Sequence, residues 1–214
     1  KKIYHNMKNF QTILKDKGYY NGAIDGAIGP MSLAATQKFI TDEINKRGWV
    51  LPKSEFVWLR LDQNLDNKFA DISVRFNGGN VDMVMACSTV PGDFYIFNPL
   101  TVGGITGAAI ACEQQAIDSH TFKTSPNWKS LWLGAPYFMQ TGAVEIFRDG
   151  NKDRKIDKSI KTKGFYGINF HRAGLGSLVD NWSAGCQVVA DNTWFEAIKI
   201  FTPNQVINFT LIEI

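Results

Sequence analysis

Apolar residues recur along this chain in two rhythms. Over about residues 7–46 the spacing is three to four: Met7, Phe10, Ile13 and Leu14 share one face of a helix that Gly18 ends. The next stretch, Gly18-Tyr19-Tyr20-Asn21-Gly22-Ala23-Ile24-Asp25-Gly26-Ala27-Ile28-Gly29-Pro30, holds four glycines and an Asp-Gly pair and reads as a tightly folded loop. Pro30 suits the first turn of a second helix, with Ser32 as an alternative cap, and Leu33, Thr36, Gln37, Phe39 and Ile40 carry that helix to about Arg47. Residues 47–66, with Gly48, Pro52 and Trp58, read as a third short helix or a packed connector. No Gly/Ser-rich linker follows, so the helical part is expected to touch what comes next.

From Lys68 the rhythm changes to two. Phe69 to Phe76 alternates, Asn77-Gly78-Gly79-Asn80 is a hairpin turn, and Val81 to Cys87 returns as a second strand. Ser88-Thr89-Val90-Pro91-Gly92 breaks that strand. Residues 108–116 read equally as a short helix or a strand. Lys163 to Phe170 is strand-like and delivers His171 at its end, Asn192 to Phe201 has helical spacing, and Gln205 to Ile214 alternates as a closing strand. The expected fold is therefore α+β in two domains: a small three-helix bundle over 1–60, then a mainly β domain, a mixed sheet or sandwich, over 61–214.

Composition excludes more than it names. Hydrophobic residues make up 44% and charged residues 20%, ordinary for a globular chain. The formal charge of +3 is unevenly spread, with ten Lys/Arg against five Asp/Glu in residues 1–60 and thirteen against fifteen in the rest. A basic front suits a polyanionic surface such as a bacterial wall, although charge of this size is also ordinary solvation. No basic stripe with interleaved aromatics appears, so no nucleic-acid partner is expected, and no apolar run reaches membrane-spanning length. Cys87, Cys112 and Cys186 form no C-x-x-C motif, which argues against a disulfide scaffold or a Cys-rich zinc site, while a Cys87–Cys112 bridge stays open. A monomer without metal or cofactor is expected.

The chemistry is placed at Gly167-Ile168-Asn169-Phe170-His171-Arg172 and, after a loop, Trp182-Ser183-Ala184-Gly185-Cys186. A cysteine is nucleophilic as thiolate, and a nearby imidazole can draw its pKa down to roughly 3.5–7.5. The small residues before it let an acyl carbonyl come close to backbone amides that stabilise an oxyanion. Histidine, loop and Ser-x-Gly-Cys together resemble the active-site signature of the L,D-transpeptidase family, whose cysteine attacks peptidoglycan stem peptides from a mostly β scaffold. The hairpin ahead of a small-Thr-Val-Pro-Gly segment is similar to the start of that family's core. The resemblance implies Cys186 as nucleophile, His171 as its base and the Arg172 carbonyl as the group orienting the imidazole. It also implies the amides of Ala184, Gly185 and Cys186 as oxyanion hole, on the turn that Ser183 opens. The family usually has glycine after the histidine, a second histidine before the Gly-Cys pair, and Arg or Asn shortly after the cysteine. Here those positions read Arg172, Ala184 and Gln187-Val188.

The helix, glycine-rich loop and helix at the front resemble the small peptidoglycan-binding repeat found beside wall enzymes, through Leu14, Gly18, Tyr19, Gly22, Asp25, Gly26, Gly29, Ala34 or Ala35, and Phe39. The resemblance implies a glycan-facing surface on which Tyr19, Tyr20 and Asp25 are candidates, and Trp182 is a candidate beside the cysteine. Asp25 is also expected to hold loop amides, as Asx residues do in turns. Three further features carry residues able to do chemistry. His120, beside Ser119 and Thr121 in a polar stretch, reads as a surface residue, with a second catalytic or substrate-contacting group as the alternative. Trp128, Trp132 and Tyr137 lie on a Pro/Gly-punctuated segment able to wall a cleft. Asp149-Gly150-Asn151-Lys152-Asp153 resembles the start of a calcium loop, but Arg154 and Ile160 stand where such a loop needs glycine and glutamate. Together these readings imply a cysteine enzyme acting on bacterial peptidoglycan outside the cell or as a phage lytic protein of the endolysin kind. Hydrolysis is slightly favoured over crosslinking, and a non-catalytic wall-binding or phage structural module is the alternative.

Overall fold

The computed structural model describes residues 2–124, 135–174, 176–190 and 193–214. Two helices lead, α1 (Lys2–Asp16) and α2 (Pro30–Lys46). Gly18 takes φ +79 after α1, a left-handed exit that glycine adopts without strain. Pro30 opens α2 behind Gly29. Phe10 and Leu14 of α1 and Phe39, Ile40 and Ile44 of α2 are fully or almost fully buried.

The strands follow in order: β1 (Glu55–Arg60), β2 (Asp71–Asn77), β3 (Asn80–Ser88), the one-turn helix α3 (Asp93–Phe97), β4 (Thr101–Val102), β5 (Ile105–Thr106), β6 (Ala108–Ala111), β7 (Gln114–Lys123), β8 (Tyr137–Gln140), β9 (Val144–Asp149), β10 (Lys161–Gly164), β11 (Phe170–Arg172), β12 (Gln187–Val189), the short helix α4 (Thr193–Ala197) and β13 (Val206–Glu213). Eight of them close a barrel in the order β1-β13-β7-β8-β11-β12-β3-β2. Closure leaves that sheet no free edge. β6, β9 and β10 form a second, three-stranded sheet, and β4 pairs β5 in a small ribbon.

Aromatics fill the barrel. Phe56, Trp58, Phe138, Phe170, Trp194 and Phe209 form one cluster, with Phe56 stacked on Trp194 at 5.6 Å. The outer face of β1 and β2, through Val57, Leu59, Ile72 and Val74, shares a second cluster with both helices. The helices and barrel thus have a common core, as the missing linker implied.

One expected element is absent. The stretch read as a third helix contains β1, a barrel strand, so the front is a helix pair and not a three-helix bundle. Every residue of β1 is buried, because one face lines the barrel and the other lies under the helices. Such a strand loses its alternation and looks like any apolar run. The ambiguous run at 108–116 splits into β6 and the start of β7, and the expected final helix shortens to α4 followed by a single 3₁₀ turn, Ile198–Ile200. Phe94 to Phe97 belongs to α3.

His120 is corrected as well: it is a fully buried β7 residue stacked on Phe170 at 3.9 Å. Cys87 and Cys112 are both buried and free, so no bridge joins them. In the acidic loop the Asp149, Asn151 and Asp153 side chains accept hydrogen bonds from the amides of Asn151, Asp153 and Lys155, the pattern of a turn connector.

Candidate active site

β11 and β12 run parallel, with Phe170 opposite Gln187 and His171 opposite Val188. Side chains alternate along a strand, so Cys186, one residue before β12, shares with His171 the face turned away from the barrel interior. The turn feeding Cys186 is tied in three ways. The Ser183 hydroxyl donates to the Cys186 carbonyl at 2.7 Å and accepts from the Gly185 amide at 3.1 Å. The Gly92 amide donates to the Ser183 carbonyl at 2.9 Å, joining the Pro91-Gly92 turn to this loop. Gly185 sits at φ +133 beneath β6, where an added Cβ would fall 2.4 Å from the Ala109 carbonyl oxygen. Of the three amides proposed for an oxyanion hole, that of Gly185 is engaged by Ser183 and that of Cys186 faces its own sulfur.

Around the sulfur, the Asn169 amide donates to Sγ at 3.4 Å and the thiol donates to the Gly167 carbonyl at 3.3 Å. His171 is fully buried with Nδ1 2.7 Å from the Arg172 carbonyl. A carbonyl only accepts, so Nδ1 carries the proton in the neutral ring and Nε2 is the basic nitrogen. Burial pushes the His171 pKa down to about 3, with the Arg172 carbonyl opposing and the Arg172 charge adding to the fall. Burial also pushes the Cys186 thiol up to about 11, against the amides of Asn169 and Cys186 itself. Thiol and imidazole are therefore both neutral at rest. The expectation of an imidazole-lowered thiol is corrected: burial disfavours both ions, and Arg172 disfavours the imidazolium further.

Two residues support this site from a distance: Gln140, which the sequence does not single out, and His120, which it presents as exposed. Gln140 accepts the amides of Tyr166 and Ile168, both at 3.0 Å, and donates to the carbonyls of Gly142 and Gly164, both at 2.8 Å. It thereby clamps the segment that carries the Gly167 carbonyl. His120 Nε2 donates to the Ile168 carbonyl at 2.7 Å, and burial holds its pKa near about 3. Neither residue has a local signal for this role, since the bonds that reach residues 164–168 come from far away in the chain.

A narrow cavity of about 40 Å³ opens beside the sulfur, lined by Cys186, Ala184, Ala109, Arg148, Tyr166 and Tyr95 among others. Trp182 ends the 3₁₀ turn Asp180–Trp182 and is half-buried, packed so closely on Gly174 that a Cβ there would meet the indole at 2.5 Å. Tyr19, Tyr20 and Asp25 do not line this cavity. Tyr19 donates to Asp42 at 3.0 Å, Tyr20 is buried and donates to the Ala23 carbonyl at 3.0 Å, and Asp25 accepts from Gln11 and from the Ala27 amide. Trp128 and Trp132 lie outside the described residues, and Tyr137 is buried in β8. Among the described residues no cluster of His, Cys, Asp or Glu is arranged to hold a metal ion.

The chain is similar to the crystal structure of the L,D-transpeptidase from Xylanimonas cellulosilytica, with 16% identity, 96% of this chain and 92% of that chain covered, and a TM-score of 0.34. No family model and no curated protein matches the chain. No helix among the described residues is long and apolar enough to cross a membrane.

Proposed function

We propose that the protein is a cysteine acyl-transfer enzyme acting on peptidoglycan stem peptides, with hydrolysis as the favoured outcome. The observation that carries this reading is a histidine whose Nδ1 is committed to the Arg172 carbonyl, on the strand face that Cys186 shares. A histidine held in this tautomer presents a basic Nε2 on the face it shares with the thiol. In the reaction, Sγ bonds to the stem-peptide carbonyl carbon and its proton passes to Nε2. The oxyanion rests on the Ala184 and Cys186 amides. Collapse breaks the C–N bond, and the departing amine takes the proton from the imidazolium. Water then hydrolyses the thioester, or an amine of a second stem peptide replaces water and a crosslink forms. Arg172 and Ala184, where the transpeptidase signature has glycine and histidine, incline the reading towards water. Such an enzyme acts at the bacterial wall, from outside the cell or as a phage lysis protein.

The front helices are assigned to wall attachment. Of the three candidate contact residues, Tyr20 is buried, whereas Tyr19 is half-buried and Asp25 is exposed and engaged in its own loop. Tyr19 is therefore the side chain left to stack on a sugar ring.

One observation favours a second reading, a wall-binding module without catalysis: Cys186 is only 6% exposed and its thiol is raised to about 11. Mass spectrometry of monomeric and crosslinked muropeptides, incubated with the parent and with Cys186→Ala, decides between them. Loss of a terminal residue or a crosslink in the parent alone establishes the hydrolase, and new crosslinks establish the transpeptidase. Binding to sacculi with unchanged muropeptides in both proteins leaves the scaffold reading.

A further inference from the structure

Arg148 lies in β9 opposite Ala109 of β6, the residue whose carbonyl packs on Gly185, so the strand register carries its side chain to the nucleophile's cavity. Arg148 is 4% exposed. It lies 4.9 Å above the Tyr166 ring, and Nη1 donates to the Gly107 carbonyl at 3.3 Å. Nη2 is buried and has no hydrogen-bond partner, and no carboxylate among the described residues pairs with this arginine. Every other buried arginine among the described residues is neutralised: Arg60 by Glu213 at 2.9 Å and Arg75 by Asp82 at 2.7 Å. A buried cation without a counter-ion is costly, and so is a buried N–H without an acceptor. An arginine is the side chain best shaped to take a carboxylate through parallel N–H donors. The cavity's 40 Å³ exceeds the roughly 10–15 Å³ that a single water needs and has room for a small planar group.

We propose that Arg148 forms a carboxylate-binding subsite beside Cys186, which takes a free carboxylate of the peptide under attack and selects acidic acyl donors over their amides. The proposal rests on the reading of Cys186 as the reacting group, and it names what that group's cavity recognises. Arg148 is a specificity residue: it fixes the donor through charge-assisted bonds, and Tyr166 holds the guanidinium plane from below.

The test reads the subsite with a probe independent of peptidoglycan. Cys186 is alkylated with iodoacetate and, separately, with iodoacetamide, and the modified position is located by mass spectrometry, since Cys87 and Cys112 are also free. The ratio of the two rates in the parent should exceed that of glutathione by roughly ten- to a hundredfold, the worth of one or two hydrogen bonds to a charged group. Arg148→Gln should return the ratio to the glutathione value with iodoacetamide labelling unchanged, and Arg148→Lys should keep part of the preference. A ratio in the parent equal to that of glutathione, or one that Arg148→Gln leaves intact, overturns the subsite. If Arg148→Gln does not fold, the parent alone decides. Acetate should protect Cys186 from iodoacetamide where acetamide does not, and equal protection overturns the proposal. Binding of stem peptides to Cys186→Ala, with either the terminal or a side-chain carboxylate converted to its amide, then shows which carboxylate is read. Unchanged muropeptides alongside a selective iodoacetate reaction would sink the enzymatic reading and leave the subsite standing.

Discussion

Gly185 and Ala109 meet backbone to backbone: β6 crosses the turn before Cys186 so closely that any Cβ at 185 would lie 2.4 Å from the Ala109 carbonyl oxygen. The neighbouring carbonyl cannot yield easily, because β6 is pinned at Ala111 by the fully buried Arg60, which also holds Thr89. Gly185→Ala is therefore expected to destabilise the protein by roughly 2–5 kcal/mol, from overpacking and a positive φ combined. Gly18→Ala, with φ +79 but nothing within 4 Å, should cost only about 1 kcal/mol. Urea midpoints of the two variants separate the terms, and equal midpoints would show that β6 moves aside.

Gln140 fills both donor and acceptor capacity in holding Gly142 and residues 164–168. Gln140→Leu leaves two amides without their acceptor. The expected loss is about 2–4 kcal/mol of stability. Freed from that clamp, the Gly167 carbonyl no longer holds the thiol in place, so iodoacetamide should label Cys186 faster under native conditions. A destabilised variant with unchanged labelling would confine Gln140 to fold stability.

The legible parts of this molecule were those with a local rule. The β2–β3 hairpin showed itself through alternation around Asn77-Gly78-Gly79-Asn80, and the front helices through a face of Met7, Phe10 and Leu14 stopped by glycine. Cys186 and His171 stood out because small residues around a cysteine are a chemical pattern as well as a structural one. β1 was hidden because burial on both faces erased its period. Gln140, His120 and Arg148 were hidden for a different reason: a polar residue in a strand gives no sign of being buried until the partner strand, far away in sequence, is in place. The pKa inversion at the site has the same origin, since a motif names groups and only packing sets the dielectric around them.

His120 and His171 are both buried with pKa values lowered to about 3. A folded-state pKa below the unfolded value of 6.5 gives stability that is present above pH 6.5 and lost as pH falls towards 3. Each histidine should remove about 1.4 kcal/mol per pH unit within that window. Asp71 and Glu55, whose carboxyls burial pushes up, take protons in the folded state at its lower end and offset part of the loss. Replacing His120 with Gln should halve the histidine slope, whatever its effect on stability at neutral pH. Thermal midpoints measured from pH 7 down to 4 give the slope, and a parent midpoint flat over that range would contradict a neutral buried pair.

On the proposed acyl-transfer reading, the neutral resting states of Cys186 and His171 also set how the reaction responds to pH. A thiol at about 11, against an ordinary 9.0, holds roughly a hundredfold less thiolate at neutral pH. Alkylation of Cys186 should therefore be slower than that of glutathione by about that factor and should climb steadily through the alkaline range. Acyl transfer needs no standing thiolate if the proton leaves for Nε2 as the sulfur attacks, and the neutral imidazole it requires persists down to the His171 pKa of about 3. Between about pH 5 and 8 the turnover profile should then be flat. An inflection near the ordinary histidine value would instead mean that substrate opens the site to water and restores the ring's usual basicity. Arg172→Met tests the same electrostatics from the other side. The carbonyl that orients Nδ1 is backbone and survives the substitution, whereas the charge that helps depress His171 is removed, so the acid limb of the profile should move to higher pH with the tautomer unchanged. A limb that stays in place would assign the depression to burial alone.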